Sequence, residues 1–169
     1  MSEDEKLLKE AKKLPWEDRL LHKNWKVRND ANIDLTALCD SITDPKDPRI
    51  RQLGHFFKKT IADSNATVQD KALDALIAYL KAADSDVGRY AKEVCDAIVA
   101  KCLTGRPKTV EKAQMVFMLW VELEAVDAFS KYGKTHAKKF CLGQKLNRNK
   151  LTLGFSSGQG VPNPLNVKR

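Results

Sequence analysis

A spacing of 41 residues constrains this chain more than any other feature. Asn24, Val27, Ala31, Leu35 and Leu38 return 41 positions later as Asn65, Val68, Ala72, Leu76 and Tyr79. A weaker copy follows at Arg106, Thr109, Ala113, Phe117 and Trp120, keeping the alanine and the bulky positions. Within each copy the apolar and small residues recur every three or four positions, which lines up one face of an α-helix. A period near 40 residues is too long for one ordinary helix and suits a pair of helices. A single pair cannot bury its apolar face alone, whereas stacked pairs share a continuous core. The repeat therefore predicts an all-α solenoid.

Turn and cap residues divide the span further. Pro15 suits the first turn of a short helix from Trp16 to Leu21, and His22 to Asn24 break it. A longer helix is predicted from Trp25 to Ser41. Two prolines and two aspartates between Thr43 and Pro48 mark a turn, with a helix from Arg49 to Ile61 beyond it. Ala62 to Ala66 form the next break, where Ser64 or Asn65 caps a helix running from Thr67 to Ala83. After a turn at Asp84–Asp86, helices are expected from Val87 to Leu103 and from Thr109 to Phe129, parted by a loop at Thr104–Lys108. This is the pattern of a HEAT-repeat α-solenoid of about three helix pairs over residues 15–129. Residues 1–14 are expected to be a frayed polar leader with a small Leu7–Leu8 patch.

Charge is distributed unevenly. The formal net charge is +8, yet residues 130–169 hold nine Lys/Arg and no acid, which leaves 21 basic and 22 acidic residues in 1–129. The tail also contains five of the eight glycines and no helical stripe beyond Leu146, so it is expected to be a basic, mostly disordered segment. Such asymmetry points to a tail that meets a polyanion or is foreign to the body. Screened attraction to an acidic surface is the behaviour expected of it.

Several function classes find no support in the residues. No run of about 18 apolar residues is present to span a membrane, and the acidic, mixed-charge start lacks an apolar signal core. Cys39, Cys95, Cys102 and Cys141 show no C-x-x-C spacing and are expected to be structural thiols. His22, His55 and His136 are isolated. No catalytic constellation, metal site or cofactor is expected, so the chain reads as a binding module and not as an enzyme.

The loops that join the first helix of each pair to the second all fall on one edge of a solenoid. A helix N-terminus carries partial positive charge and favours Asp or Glu by about 0.3–1 kcal/mol. These junctions instead offer Lys23, Lys26 and Arg28 in the first loop and Arg106 and Lys108 in the third, next to the aromatic Trp25. Cations set against the dipole beside an exposed aromatic fit a ridge for an acidic partner. Trp16 and Trp120 lie on apolar stripes and are expected in the core.

The stretches His22-Lys-Asn-Trp-Lys-Val-Arg28 and Ala62-Asp-Ser-Asn-Ala-Thr-Val-Gln-Asp-Lys-Ala-Leu73, with the leader Leu14-Pro-Trp-Glu-Asp-Arg-Leu20, resemble the opening of a TOG domain. TOG domains are the tubulin-binding HEAT arrays of the XMAP/Dis class of microtubule polymerases, and the likeness covers about residues 1–129, closest to the N-terminal domain of the plant members. The resemblance implies that Trp25 with Lys23, Lys26 and Arg28 forms the first tubulin-facing loop. It likewise implies that Asp63, Ser64, Asn65 and Ala66 belong to the second, and Thr104, Gly105, Arg106, Pro107 and Lys108 to the third, with Ser64, Asn65, Ala66, Arg106 and Lys108 as contacts. The partners it implies are the curved, unpolymerised tubulin dimer and microtubules, in the cytoplasm and on the cytoskeleton. Family domains have more helix pairs than the three found here before Ser130, so an incomplete array is expected. The alternative is a HEAT scaffold for another protein whose tail, with Tyr132, Phe140 and Phe155 among its cations, binds nucleic acid.

Overall fold

The computed structural model describes residues 1–83 and 85–130, with the side chains of 85–86 and 125–130 excepted. The expectations for residues 131–169 lie outside the described residues. Among the described residues there are eight α-helices and two 3-10 turns, and no strand. The helices are α1 (Glu3–Ala11), α2 (Trp16–Leu20), α3 (Trp25–Ser41), α4 (Pro48–Leu53), α5 (Phe57–Ile61), α6 (Ala66–Ala82), α7 (Ala91–Lys101) and α8 (Pro107–Ser130). Residues Met1–Glu124 form one compact unit.

The 41-residue echo is the core written lengthwise. Val27, Val68 and Thr109 are buried at equivalent places on α3, α6 and α8, as are Ala31, Ala72 and Ala113 one turn later. Small residues at this register let neighbouring helix backbones approach, and α3 and α6 make the most extensive contact in the fold. The second helices of the pairs thus form one layer. α5 stacks on α7 in the other, while α2 packs on α3 and α5 on α6 between the layers. Lys112 ties α8 to α6, its Nζ 2.8 Å from the carboxylates of both Asp70 and Asp74. One continuous apolar cluster runs through the pairs from Leu20 to Trp120. The HEAT-type solenoid expected from the repeat is therefore present.

Three details differ from expectation. The leader is not frayed: α1 is held by a capping box in which Ser2 Oγ accepts from the Glu5 amide and Glu5 accepts from the Ser2 amide. The helix expected from Val87 begins as a 3-10 turn over Ser85–Tyr90 and becomes α-helical only at Ala91. The helix expected over Arg49–Ile61 is interrupted by a 3-10 turn at Gly54–Phe56. There the chain buries both Phe56 and Phe57, and it lies against Tyr79 of its own pair and Tyr90 of the next.

Gly54 marks that close approach. A Cβ at this position would stand 2.3 Å from Cε2 of Tyr90 and 2.6 Å from the hydroxyl of Tyr79, whose side chain is fully buried. Glycine is helical here, and alanine in a helix is ordinarily favoured by about 1 kcal/mol. Overpacking costs about 1–3 kcal/mol, so Gly54→Ala is expected to destabilise the fold and Gly54→Val to do so more strongly. Urea midpoints of the two variants measure this. A stabilised Gly54→Ala would show that the pairs are loosely packed at this seam.

Candidate binding edge

The first two loops fold alike although their sequences differ. Asn24 caps α3 by accepting the Lys26 amide at 2.9 Å, and Asn65 caps α6 by accepting the amides of Thr67 and Val68 at 2.9 and 3.2 Å. Two residues before each cap, another acceptor closes the turn. His22 Nδ1 takes the Asn24 amide at 3.0 Å, and Asp63 Oδ1 takes the Asn65 amide at 2.8 Å. Residues 22 and 63 stand one repeat apart, so the echo extends into the loops in function if not in identity.

A charged clamp joins these loops. Arg28 Nε and Nη2 donate to the two oxygens of Asp63 at 2.7 and 3.1 Å. Its Nη1 donates to the carbonyls of His22 and Lys23 at 2.8 and 3.3 Å. The side chains retain only 16% and 7% exposure. Arg28, expected as a contact residue of the ridge, lines the same depression as Trp25, and its guanidinium is engaged with four acceptors of the protein. It holds the first loop against the second, and the planar fork makes arginine the suitable residue for this.

The remaining expected residues stay at the surface. Trp25, the first residue of α3, is 41% exposed and leaves a large aromatic surface in water. It shares a shallow depression with Lys23, Lys26, Ser64 and Asn65. Lys23, Ser64 and Ala66 are exposed, and Lys26 is half-buried and paired with Asp4 of α1. Arg106 and Lys108 are exposed at the start of α8 but do not line the depression with Trp25. The Lys112 bridge ties the N-terminal half of α8 to Asp70 and Asp74 in the second and third turns of α6. Trp120 is buried, as its stripe predicts, whereas Trp16 is half-buried with the Arg19 guanidinium 5.0 Å from its ring.

Electrostatics give the edge a sign. The first turns of α3, α6 and α8 contain no acid, while those of α1 and α2 contain three and two. Three helix N-termini therefore point their partial positive charge at this edge without side-chain compensation of their own, and lysine and arginine add to it. No group of His, Cys, Asp and Glu suited to a metal ion occurs among the described residues. Burial, reinforced by Asp40, pushes the Cys39 thiol up to about 12, and burial pushes Cys102 up to about 11, so neither is a nucleophile at neutral pH. No helix among the described residues is long and apolar enough to cross a membrane.

The family model for the TOG domain of XMAP215/Dis1/CLASP proteins matches residues 10–140. The chain belongs to this TOG-domain family. It is 79% identical to Protein MOR1 of Oryza sativa subsp. japonica over 128 residues, which are 76% of this chain and 6% of that protein. It is 34% identical to Protein mini spindles of Drosophila melanogaster over 120 residues, 70% of this chain and 6% of the relative. Spindle pole body component alp14 of Schizosaccharomyces pombe is 32% identical over 130 residues, 74% of this chain and 16% of its own. The chain thus spans a small fraction of the length of these relatives. No solved structure matches it. Sequence reasoning anticipated the TOG membership and the loops; it missed Asp63 as the partner of Arg28 and Asp4 as the partner of Lys26. The Ser2-x-x-Glu5 capping signature was the available sign that the leader is helical.

Proposed function

We propose that this TOG-family chain is a tubulin-binding module, a partial array that acts in the cytoplasm on microtubules, in their organisation and plus-end growth. The observation that carries this is Trp25, 41% exposed at the start of α3 within a positively charged edge. An aromatic anchor ringed by cations suits a partner with an apolar contact and an acidic surround. The names of the relatives, mini spindles and spindle pole body component, support the same direction. Loops clamped in a fixed register discriminate by shape. They engage the curved, unpolymerised dimer and lose contacts when it straightens, which favours delivery followed by release. The chain binds and releases its partner and performs no chemistry on it.

Trp25→Ala tests the proposal. Loss of an interface anchor costs about 2 kcal/mol or more, roughly a 30-fold weakening. The affinity for unpolymerised tubulin is the readout, with circular dichroism to check that helicity is kept. Unchanged affinity in a folded Trp25→Ala variant would remove the anchor and the proposal with it.

A further inference from the structure

α1 meets the binding edge in an unequal way. Near its C-terminal end it is anchored: Ala11 is buried, and Lys12, just beyond the helix, lies 3.4 Å from Asp34 and 3.8 Å from Asp30 on α3. At its N-terminal end every side chain from Glu3 to Lys6 is exposed, and Asp4 forms an ion pair with Lys26 of α3. Those side chains keep 54% and 43% exposure, so water and salt screen the pair. Asp4 also lines the depression that contains Trp25, Lys23, Ser64 and Asn65.

Lys26 sits in the first turn of α3, where a cation opposes the helix dipole and an anion is welcome. In the free protein Asp4 supplies that anion from outside the helix. An acidic partner arriving at Trp25 must offer its carboxylates to the same ammonium. One end of α1 is firm and the other weakly held, so its first turn can leave while Ala11 and Lys12 stay seated. A nine-residue helix has little stability of its own, and fraying one turn costs little.

We propose that α1 is a displaceable latch on the edge: Asp4 occupies Lys26 in the free protein, and an acidic surface of the partner takes Lys26 over on binding. This rests on the tubulin-binding proposal only for the identity of the partner. The latch lowers affinity by the value of one exposed ion pair and makes the edge selective for partners acidic enough to displace it.

The full chain with Asp4→Asn is the test, and Glu3→Gln in the same first turn is the control for loss of a carboxylate near the α1 dipole. Releasing one exposed ion pair should tighten tubulin binding about threefold at low salt, and the gain should vanish as salt screens the pair. Asp4→Asn combined with Lys26→Gln should bind no more tightly than Lys26→Gln alone. A second readout needs no tubulin. Amide hydrogen exchange in residues 3–7 should quicken in Asp4→Asn, and in the unaltered chain when a Glu-rich peptide is added. Equal effects from Glu3→Gln, an unchanged exchange rate in Asp4→Asn, or tubulin affinity that does not rise where the unaltered chain binds would each overturn the latch. An unaltered chain that ignores tubulin while both exchange responses appear would overturn the tubulin proposal and leave the latch standing.

Discussion

Replacing Arg28 with methionine is expected to cost about 3 kcal/mol of folding stability, the lower end of the range for removing one partner of a buried ion pair. The lower end applies because the Arg28 side chain keeps 16% exposure and some water reaches the site. What remains is Asp63, 7% exposed, with the Asn65 amide as its one remaining partner among the described contacts, and two carbonyls stripped of their donor. Arg28→Lys should recover only a part, because an ammonium cannot donate along two parallel directions to the carboxylate and also reach both carbonyls. The informative variant is the double change Arg28→Met with Asp63→Asn. It removes the stranded charge while the asparagine oxygen can still accept the Asn65 amide, so most of the stability should return. Tubulin affinity should not return with it, since the charged clamp that fixes the first loop against the second is then gone. Denaturant midpoints and tubulin affinity measured on the same three variants separate the two effects. Recovery of both together would make Arg28 a residue of stability alone.

Arg28 also shows where sequence reading stops. The helices, their loops and the exposure of Trp25 follow from a 41-residue period that puts equivalent positions on equivalent faces, because burial has a periodic signature. Ion pairs between neighbouring helices have none. Arg28 and Asp63 are 35 residues apart, Lys26 and Asp4 are 22 apart, and Arg19 and Asp30 are 11 apart. None of these separations corresponds to neighbours on one helix. Arg19 is buried on α2 at 6% exposure, 3.3 Å from Asp30 and also bonded to Asp34, although its sequence context looks like that of any surface arginine. The close approach at Gly54 was equally hidden, since it involves a tyrosine 36 positions away. A regular apolar stripe fixes which face is inside. It does not fix how closely the next pair approaches, and that approach decides which position has no room for a Cβ.

Leu76→Ala should be the most damaging truncation within its register, at about 3–4 kcal/mol. Leu76 is 0% exposed on α6, which packs against α3 in its own layer and α5 in the other and contributes eight buried residues. A cavity made there has rigid walls on two sides, so little of it can collapse, and the penalty grows with the volume left open. Phe117 occupies the same register one repeat later on α8 but is only half-buried. Its truncation removes more atoms, yet many of them already face water, and its loss should be the smaller of the two. Leu35, the equivalent on α3, is also 0% exposed and should lie close to Leu76. Urea unfolding of the three alanine variants gives the order directly. A Phe117→Ala variant that loses more than Leu76→Ala would place the centre of stability in α8, and the 41-residue register would then describe the shape of the core without locating its strength.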